Sequence, residues 1–206
     1  MPYPKCENGY NRRKLTDFAK GVVDDLKGIG KFFNPPRTHV VYIPPNLIEL
    51  SGSISIYYNW LVVFPYIMTF PFRCVGAAAM IEATQPYNLE FALYDSDETG
   101  YPNHLLRHKS FSIPYGGNYE EEWYPIDLEA GIYWVGIANY TESETYPHII
   151  VYSRPLFPRH TVLGEFGTRE YFMCETPNGV LPDPFPSDAD PGDAPLTGVF
   201  LRISQG

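Results

Sequence analysis

From Asn46 onward, the sequence alternates short apolar runs with clusters of turn-forming residues. In the run NLEFALYD (88–95), large apolar residues occupy every second position, which is the period of a half-buried β-strand. Aromatic residues make up 16% of the chain and charged residues only 19%, with 21 Pro and 17 Gly to form turns. The pattern predicts an all-β fold, an antiparallel two-sheet β-sandwich of the jelly-roll type, over residues 46–206.

The run GIYWVGIANY (131–140) predicts a strand that is apolar on both faces. Alternation places Ile132, Trp134, Gly136 and Ala138 on one face and Tyr133, Val135 and Ile137 on the other. Each face should therefore be buried, either in the core or in a subunit interface. We expect Tyr133 and Trp134 to be core residues and not a ligand platform, and the two apolar faces favour a homo-oligomer such as a trimer.

Residues 1–45 differ in character from the rest. The stretch LTDFAKGVVDDLKGIGKFF (15–33) carries apolar residues three or four positions apart, which predicts an amphipathic helix over about residues 14–33. Its glycines weaken it, so it needs a partner surface. We therefore predict an N-terminal attachment arm whose docking residues are Arg12, Arg13, Lys14, Phe18, Val22, Leu26, Ile29 and Phe33.

Charge and hydropathy narrow the class of partner. The net charge is −9, and the basic residues concentrate in residues 1–39, where they are scattered among acids. This distribution argues against nucleic-acid binding. The run ISIYYNWLVVFPYIMTFPF (54–72) has the length of a membrane span, but Asn59, Pro65 and Pro71 interrupt it, so strands are expected and no membrane insertion.

The three cysteines lie far apart and form no metal-binding or disulfide pattern. The N-terminal sequence lacks the apolar region of a secretory signal, which favours assembly in a reducing cytoplasm. No histidine motif, phosphate-binding loop or nucleophile elbow occurs, so no cofactor and no enzymatic activity are expected.

Two acidic stretches leave alternatives open. DSDETG (95–100) has the spacing of a calcium loop, but Leu106 stands where an EF-hand requires Glu. Asp95 and Asp97 remain weak candidates for a calcium site at the rim of a sandwich, against an acidic turn. Glu120–Glu122 could pair with either of them as a glycosidase dyad, although adjacent acids usually mark a solvated loop.

Aromatic residues gather around Gly116 and Gly117. A loop that presents Tyr115, Tyr119 and Trp123 to solvent could stack against a sugar. The alternative is that these rings pack into the sandwich with their polar tips at its rim. A carbohydrate-binding module is therefore the second functional hypothesis, and a glycan hydrolase the third.

Several turn and core positions resemble one family. The segment from FPFRCVGAAAM to IDLEAGIYWVGIA is similar to the β-sandwich module at the C-terminus of many bacteriophage tail fibres and minor virion proteins. The matching residues are Leu93-Tyr94-Asp95, Gly100-Tyr101-Pro102, Leu105-Leu106, Leu128, Gly131, Tyr133 and Trp134, then Gly179 to Pro182, Ala194-Pro195 and VFLRIS. Gly100 and Pro102 would fix a turn, and Gly131 a tight hairpin before the Tyr-Trp strand.

The resemblance covers about residues 46–206 and implies a noncatalytic structural or adhesive role in the virion. Residues 1–45 lie outside it, where such proteins attach to capsid, neck or tail partners. The chain is too short for a long fibre shaft. We therefore expect either a tail-fibre or collar component or a capsid decoration protein. A host surface glycan is a further possible partner.

Overall fold

The computed structural model describes residues 40–42, 49–68, 70–153, 171–192 and 196–204. The amphipathic helix expected over residues 14–33 lies outside them, as do all of the proposed docking residues, namely Arg12, Arg13, Lys14, Phe18, Val22, Leu26, Ile29 and Phe33. The described chain is all-β, with two antiparallel sheets. Its only helical element is a 3-10 turn at Pro177–Gly179.

The first sheet is centred on the long strand β4. Its strands are β1 (Val40–Tyr42), β2 (Glu49–Ser55), β4 (Phe72–Glu82), β7 (Gly117–Leu128), β9 (His148–Ser153), β12 (Leu196–Thr197) and β13 (Val199–Ser204). β4 pairs with β7 along one side and with β13 and the start of β9 along the other. β2 pairs with β9 along its whole length, and β12 pairs with the end of β9.

The second sheet has the order β11-β10-β3-β8-β5-β6. Its strands are β3 (Trp60–Met68), β5 (Tyr87–Ser96), β6 (Pro102–Ile113), β8 (Gly131–Asn139), β10 (Tyr171–Glu175) and β11 (Asp190–Gly192). β8 lies between β3 and β5, so it is hydrogen-bonded on both sides. Its residues are apolar on both faces because each face is buried in a separate hydrophobic core.

The inner faces of the two sheets share one hydrophobic core. The second sheet contributes Val62, Phe64, Leu89, Phe91, Val135 and Ile137, and the first contributes Cys74, Ala77, Ile81, Ile149, Val199 and Leu201, all of them buried. Two antiparallel sheets around a shared core make the fold β-sandwich-like, as the sequence predicts.

A second core covers the outer face of the second sheet. Trp134 and Ala138 of β8 lie there with Leu61, Val63, Tyr94, Phe172 and Cys174. Residues 177–192, here called the covering segment, close this face by inserting Leu181 and Phe185, both nearly buried. The Pro- and Asp-rich composition of this segment is typical of a surface loop, but Leu181 and Phe185 cover the outer face of the second sheet.

The apolar run 54–72 forms strands separated by a turn. β3 passes through Pro65, which is opposite Trp134 of β8 in the strand ladder. In the part of the chain that the structure describes, no helix is long and apolar enough to cross a bilayer.

Gly131 does not begin a tight hairpin. β7 pairs with β4 in the first sheet, whereas β8 pairs with β3 and β5 in the second. The link at Glu129 and Ala130 therefore crosses between sheets, and the Tyr133 hydroxyl stabilises it by donating to the Glu129 carbonyl at 2.9 Å. The expected hairpin is wrong because sequence spacing alone does not show which strands pair.

Candidate functional site

The turn between β5 and β6 is organised by Asp97. Its Oδ1 accepts hydrogen bonds from the Thr99 backbone N–H at 2.7 Å, the Thr99 hydroxyl at 2.6 Å and the Tyr101 N–H at 3.1 Å. Gly100 adopts a φ of 87°, a left-handed conformation that favours glycine. Pro102 begins β6 opposite Ser96, where a proline removes no essential ladder donor.

Asp95 and Asp97 both hold backbone in this region. Asp95 Oδ1 accepts from the His104 N–H at 2.7 Å. Among the described residues, no group of three or more His, Cys, Asp or Glu side chains is placed to hold a metal ion. The role that the geometry gives these two acids is therefore to fix the turn.

Trp134 connects this turn to the centre of the second sheet. Its indole N–H donates to the Gly100 carbonyl at 3.0 Å and to the Ser96 hydroxyl at 3.1 Å. Ser96 in turn donates to the Ile132 carbonyl at 2.9 Å. Trp134 is completely buried, so its polar edge is satisfied inside the protein and its ring is core. Tyr133 lies on the opposite face, in the shared core.

Of the three glutamates at 120–122, Glu120 and Glu122 form ion pairs on the first sheet. Arg202 of β13 lies 3.4 Å from Glu120 Oε2 and 3.1 Å from Glu122 Oε1, across β4. Gly76 is opposite both Glu122 and Arg202 in the strand ladders. Asp95 and Asp97 belong to the second sheet and its hairpin, so the structure assigns these acids to separate structural tasks.

The aromatic residues around Gly116 have different environments. Trp123 is buried in the shared core, which removes it from any surface that could contact a glycan. Tyr119 is half-buried, lies tilted beside Phe111 at 6.3 Å between ring centroids, and donates its hydroxyl to the Tyr115 carbonyl. Only Tyr115 of the predicted sugar-binding set is well exposed, at 67%.

A buried carboxylate lies on the outer face of the second sheet. Glu90 is 6% exposed. Its Oε1 lies 2.7 Å from His108 Nδ1 and accepts from the Ser110 hydroxyl at 2.9 Å, and its Oε2 accepts from the Tyr140 hydroxyl at 2.9 Å. Burial and then the charge of Glu90 raise the pKa of Tyr140.

The Glu90 network is suited to structure more than to nucleophilic chemistry. Ser110 donates to Glu90 and not to His108, so these side chains do not form the serine–histidine pair of a nucleophilic triad. Instead, three hydrogen bonds compensate a carboxylate removed from water. In the sequence, Glu90 is visible only as a single acid within the alternating run 88–95. Its partners could not be predicted, because His108 and Ser110 lie on β6 and Tyr140 follows β8.

A group of aromatic residues that the sequence analysis did not predict, here called the aromatic platform, lies at one end of the second sheet. We use this name for Tyr57, Tyr58, Trp60 and Tyr146. Tyr57 and Tyr146 contact each other edge to face at 4.8 Å, and Tyr57 and Trp60 do so at 6.3 Å. The three tyrosines are 36–44% exposed, and Trp60 is half-buried. The platform therefore presents a group of rings to solvent.

The turn that carries the platform is anchored by a buried asparagine. The completely buried Asn139 donates from its side-chain Nδ2 to the Ile56 carbonyl at 3.0 Å. The backbone carbonyl of Asn139 accepts from the Asn59 N–H at 2.7 Å. Asn59 has a φ of 57°, and the Trp60 N–H closes the turn onto the Tyr57 carbonyl at 3.2 Å. These bonds fix the backbone of the turn from which the rings project.

The loop that carries Tyr146 is fixed as well. Asn139 Oδ1 accepts from the Thr141 N–H at 2.9 Å, and the Tyr87 hydroxyl lies 2.9 Å from Thr145 Oγ1. Gln85 donates to the Ser143 hydroxyl in the same loop. The sequence signal that could have located this platform is the Tyr-Tyr-Asn-Trp turn at 57–60, but Tyr146 joins it only through the fold.

No protein-family model matches this chain, and no curated protein is similar to it at a significant level.

Proposed function

We propose that this chain is a bacteriophage virion structural protein, an N-terminally anchored accessory β-sandwich that acts as a tail-fibre or collar component or as a capsid decoration. The observation that supports the proposal most is the bond from Trp134 to the Gly100 carbonyl. It joins the Gly-x-Pro turn to the Tyr-Trp strand, the two most distinctive parts of the resemblance to phage virion modules. The motif residues thus form one structural unit, as a noncatalytic scaffold requires.

In this proposal, the described sheets, β1 included, form a jelly-roll body, and the residues before β1 form the attachment arm with its helix at about 14–33. The arm docks onto a capsid, neck or tail protein through its apolar stripe. The acidic body projects outward. Assembly takes place in the host cytoplasm, and the two described cysteines, Cys74 and Cys174, are free and buried as a reducing compartment allows.

The two apolar faces of β8 no longer argue for a trimer. One face belongs to the core shared by the sheets, and the covering segment of the same chain closes the other. A homo-oligomer stays a prediction. Size-exclusion chromatography with light scattering at micromolar concentration tests it, and a clean monomer would count against it.

The attachment arm is tested by deleting residues 1–36. Because the described strands begin at Val40, we expect the truncated protein to remain folded and soluble but to be lost from purified particles. Tyr124→Ala is the matched control, since this tyrosine is 82% exposed and should leave incorporation unchanged. Normal incorporation of the truncated protein would refute docking through the arm.

Copy number in the particle distinguishes the structural roles. Quantitative mass spectrometry against the major shell protein should give a number commensurate with the shell lattice for a decoration protein. A small multiple of the tail symmetry would indicate a fibre or collar component. Absence of the chain from purified particles would refute the virion proposal.

The other two functional hypotheses differ in their support. The hydrolase hypothesis weakens because Glu120 and Glu122 pair with Arg202, in a different sheet from Asp95 and Asp97. The carbohydrate-binding hypothesis loses Trp123 as a contact, but the aromatic platform offers exposed rings at another place. That platform is the specific observation in favour of binding.

A further inference from the structure

We infer that the aromatic platform of Tyr57, Tyr58, Trp60 and Tyr146 is a binding site for neutral carbohydrate. Pyranose rings carry apolar C–H faces that pack against aromatic rings, and their hydroxyls need nearby hydrogen-bonding groups. The platform supplies both, because its rings are exposed next to the polar loop 141–145. This site is separate from the predicted set of Tyr115, Tyr119 and Trp123.

Preorganisation is the first argument for a binding role. Large exposed rings on a mobile loop would lose conformational entropy when they bind. Here Asn139 bonds to both sides of the site, to the Ile56 carbonyl before Tyr57 and to the Thr141 N–H before Tyr146. The Thr176 N–H also donates to the Asn59 carbonyl at 2.6 Å. A structural role for these rings would not require that they remain exposed.

The packing of the rings favours a sugar over a caged cation. A quaternary ammonium group needs two or more rings that face a common centre. Tyr57 and Tyr146 are instead in direct edge-to-face contact, at 4.8 Å and 76°, which fills the space between them. What remains available is the outward surface of the rings. Because the ring planes of Tyr57 and its two neighbours are nearly perpendicular, a pyranose would pack against the face of a single ring and meet the edges of the others.

The surrounding charge favours neutral over acidic glycans. Glu142 and Glu144 are exposed in the loop that leads to Tyr146, and the exposed Glu175 is opposite Trp60 in the strand ladder. These carboxylates can accept hydrogen bonds from sugar hydroxyls. Carboxylated or sulfated sugars would instead meet repulsion, which acts within about 8 Å at physiological ionic strength.

The test uses the full chain and two sets of soluble polysaccharides. Neutral galactan, mannan and β-glucan form one set, and polygalacturonate and alginate form the other. Affinity electrophoresis measures retardation. Acrylamide quenching adds a local readout, because Trp60 is the partly exposed tryptophan while Trp123 and Trp134 are buried. We expect at least one neutral polymer to retard the protein and to protect Trp60 from quenching.

Matched variants assign the binding to the platform. Tyr57→Ala and Tyr146→Ala should each weaken binding about tenfold or more, as expected for removing a ring that contributes about 1.4 kcal/mol. Tyr124→Ala, also an exposed tyrosine, should bind like the wild type. Unchanged thermal unfolding midpoints would show that the variants remain folded.

Three results would overturn the inference. They are no retardation by any neutral polymer, equal or tighter binding of the acidic polymers, and binding that survives both platform substitutions. The assays use the isolated protein, so their outcome is independent of incorporation into particles. A failure here would leave the virion proposal standing, and absence from particles would leave the sugar site standing.

Discussion

Gly136 lies at the centre of the fold, and its replacement by alanine provides a sharp test of the packing. It occupies β8 between β3 and β5, on the face that carries Trp134. An added Cβ would lie 2.4 Å from the Val62 carbonyl oxygen and 2.6 Å from Val63 Cγ1. Carbon contacts are comfortable at about 3.5 Å, so β3 and β8 would have to separate by about 1 Å.

The cost follows from what this separation breaks. Ladder hydrogen bonds near Val62 would stretch beyond useful length, at about 1 kcal/mol each. Overpacking in a closed core adds about 1–3 kcal/mol. With two ladder bonds affected, we expect Gly136→Ala to lower the free energy of unfolding by about 3–5 kcal/mol, which is large for a single methyl group.

Urea denaturation followed by circular dichroism measures this loss. The matched control is Gly117→Ala in β7, where the nearest atom to an added Cβ is in the Tyr119 ring at 3.6 Å, an ordinary contact. That variant should be neutral or more stable by about 0.5 kcal/mol, because alanine restricts the unfolded chain. If the two variants differed by less than about 1 kcal/mol, the close approach of β3 to β8 would be refuted.

Three further outcomes are expected. Trp134→Phe leaves the Gly100 carbonyl without its indole donor and should lower the free energy of unfolding, measured by urea denaturation, by about 1–3 kcal/mol. An unchanged midpoint would contradict a stabilising hydrogen bond between this turn and β8. Glu90→Ala removes the acceptor of three side chains and should destabilise by a similar amount, whereas Ser112→Ala at an exposed position should not. Burial raises the pKa of Cys74 and Cys174 from 9.0 to about 12, so folding favours the protonated thiols. The stability present below pH 9 should therefore fall as pH rises towards 12, and urea midpoints that stay constant across this range would disprove thiol burial.

The sequence predicts best where a local pattern determines structure. The alternation in NLEFALYD corresponds to β5 (Tyr87–Ser96), and the two-faced run at 131–140 corresponds to β8, whose Trp134 and Val135 point into different cores. These strands are recognisable because burial on one or both faces leaves a period-two or continuous apolar signal.

Elements that depend on distant partners were not recognisable. β10 (Tyr171–Glu175) is only five residues long, and it pairs with β3 more than a hundred positions earlier in the sequence. The run SISIYYNWLVVF reads as one strand, but Asn59 with its positive φ divides it into β2 and β3. Similarly, Tyr146 joins the aromatic platform through a loop whose position depends on Asn139, and no local spacing encodes that contact.

The position of β13 has a consequence for the order in which the fold can form. Val199–Ser204 pairs with β1 on one side and with β4 on the other, and both partners lie more than a hundred positions earlier in the sequence. Until β13 docks, one side of β4 from Arg73 to Ala79 lacks its partner strand. Such non-local pairing slows folding and exposes an edge that can pair with other chains. Partly folded forms in which β13 has not docked are therefore the forms that this edge makes prone to aggregation.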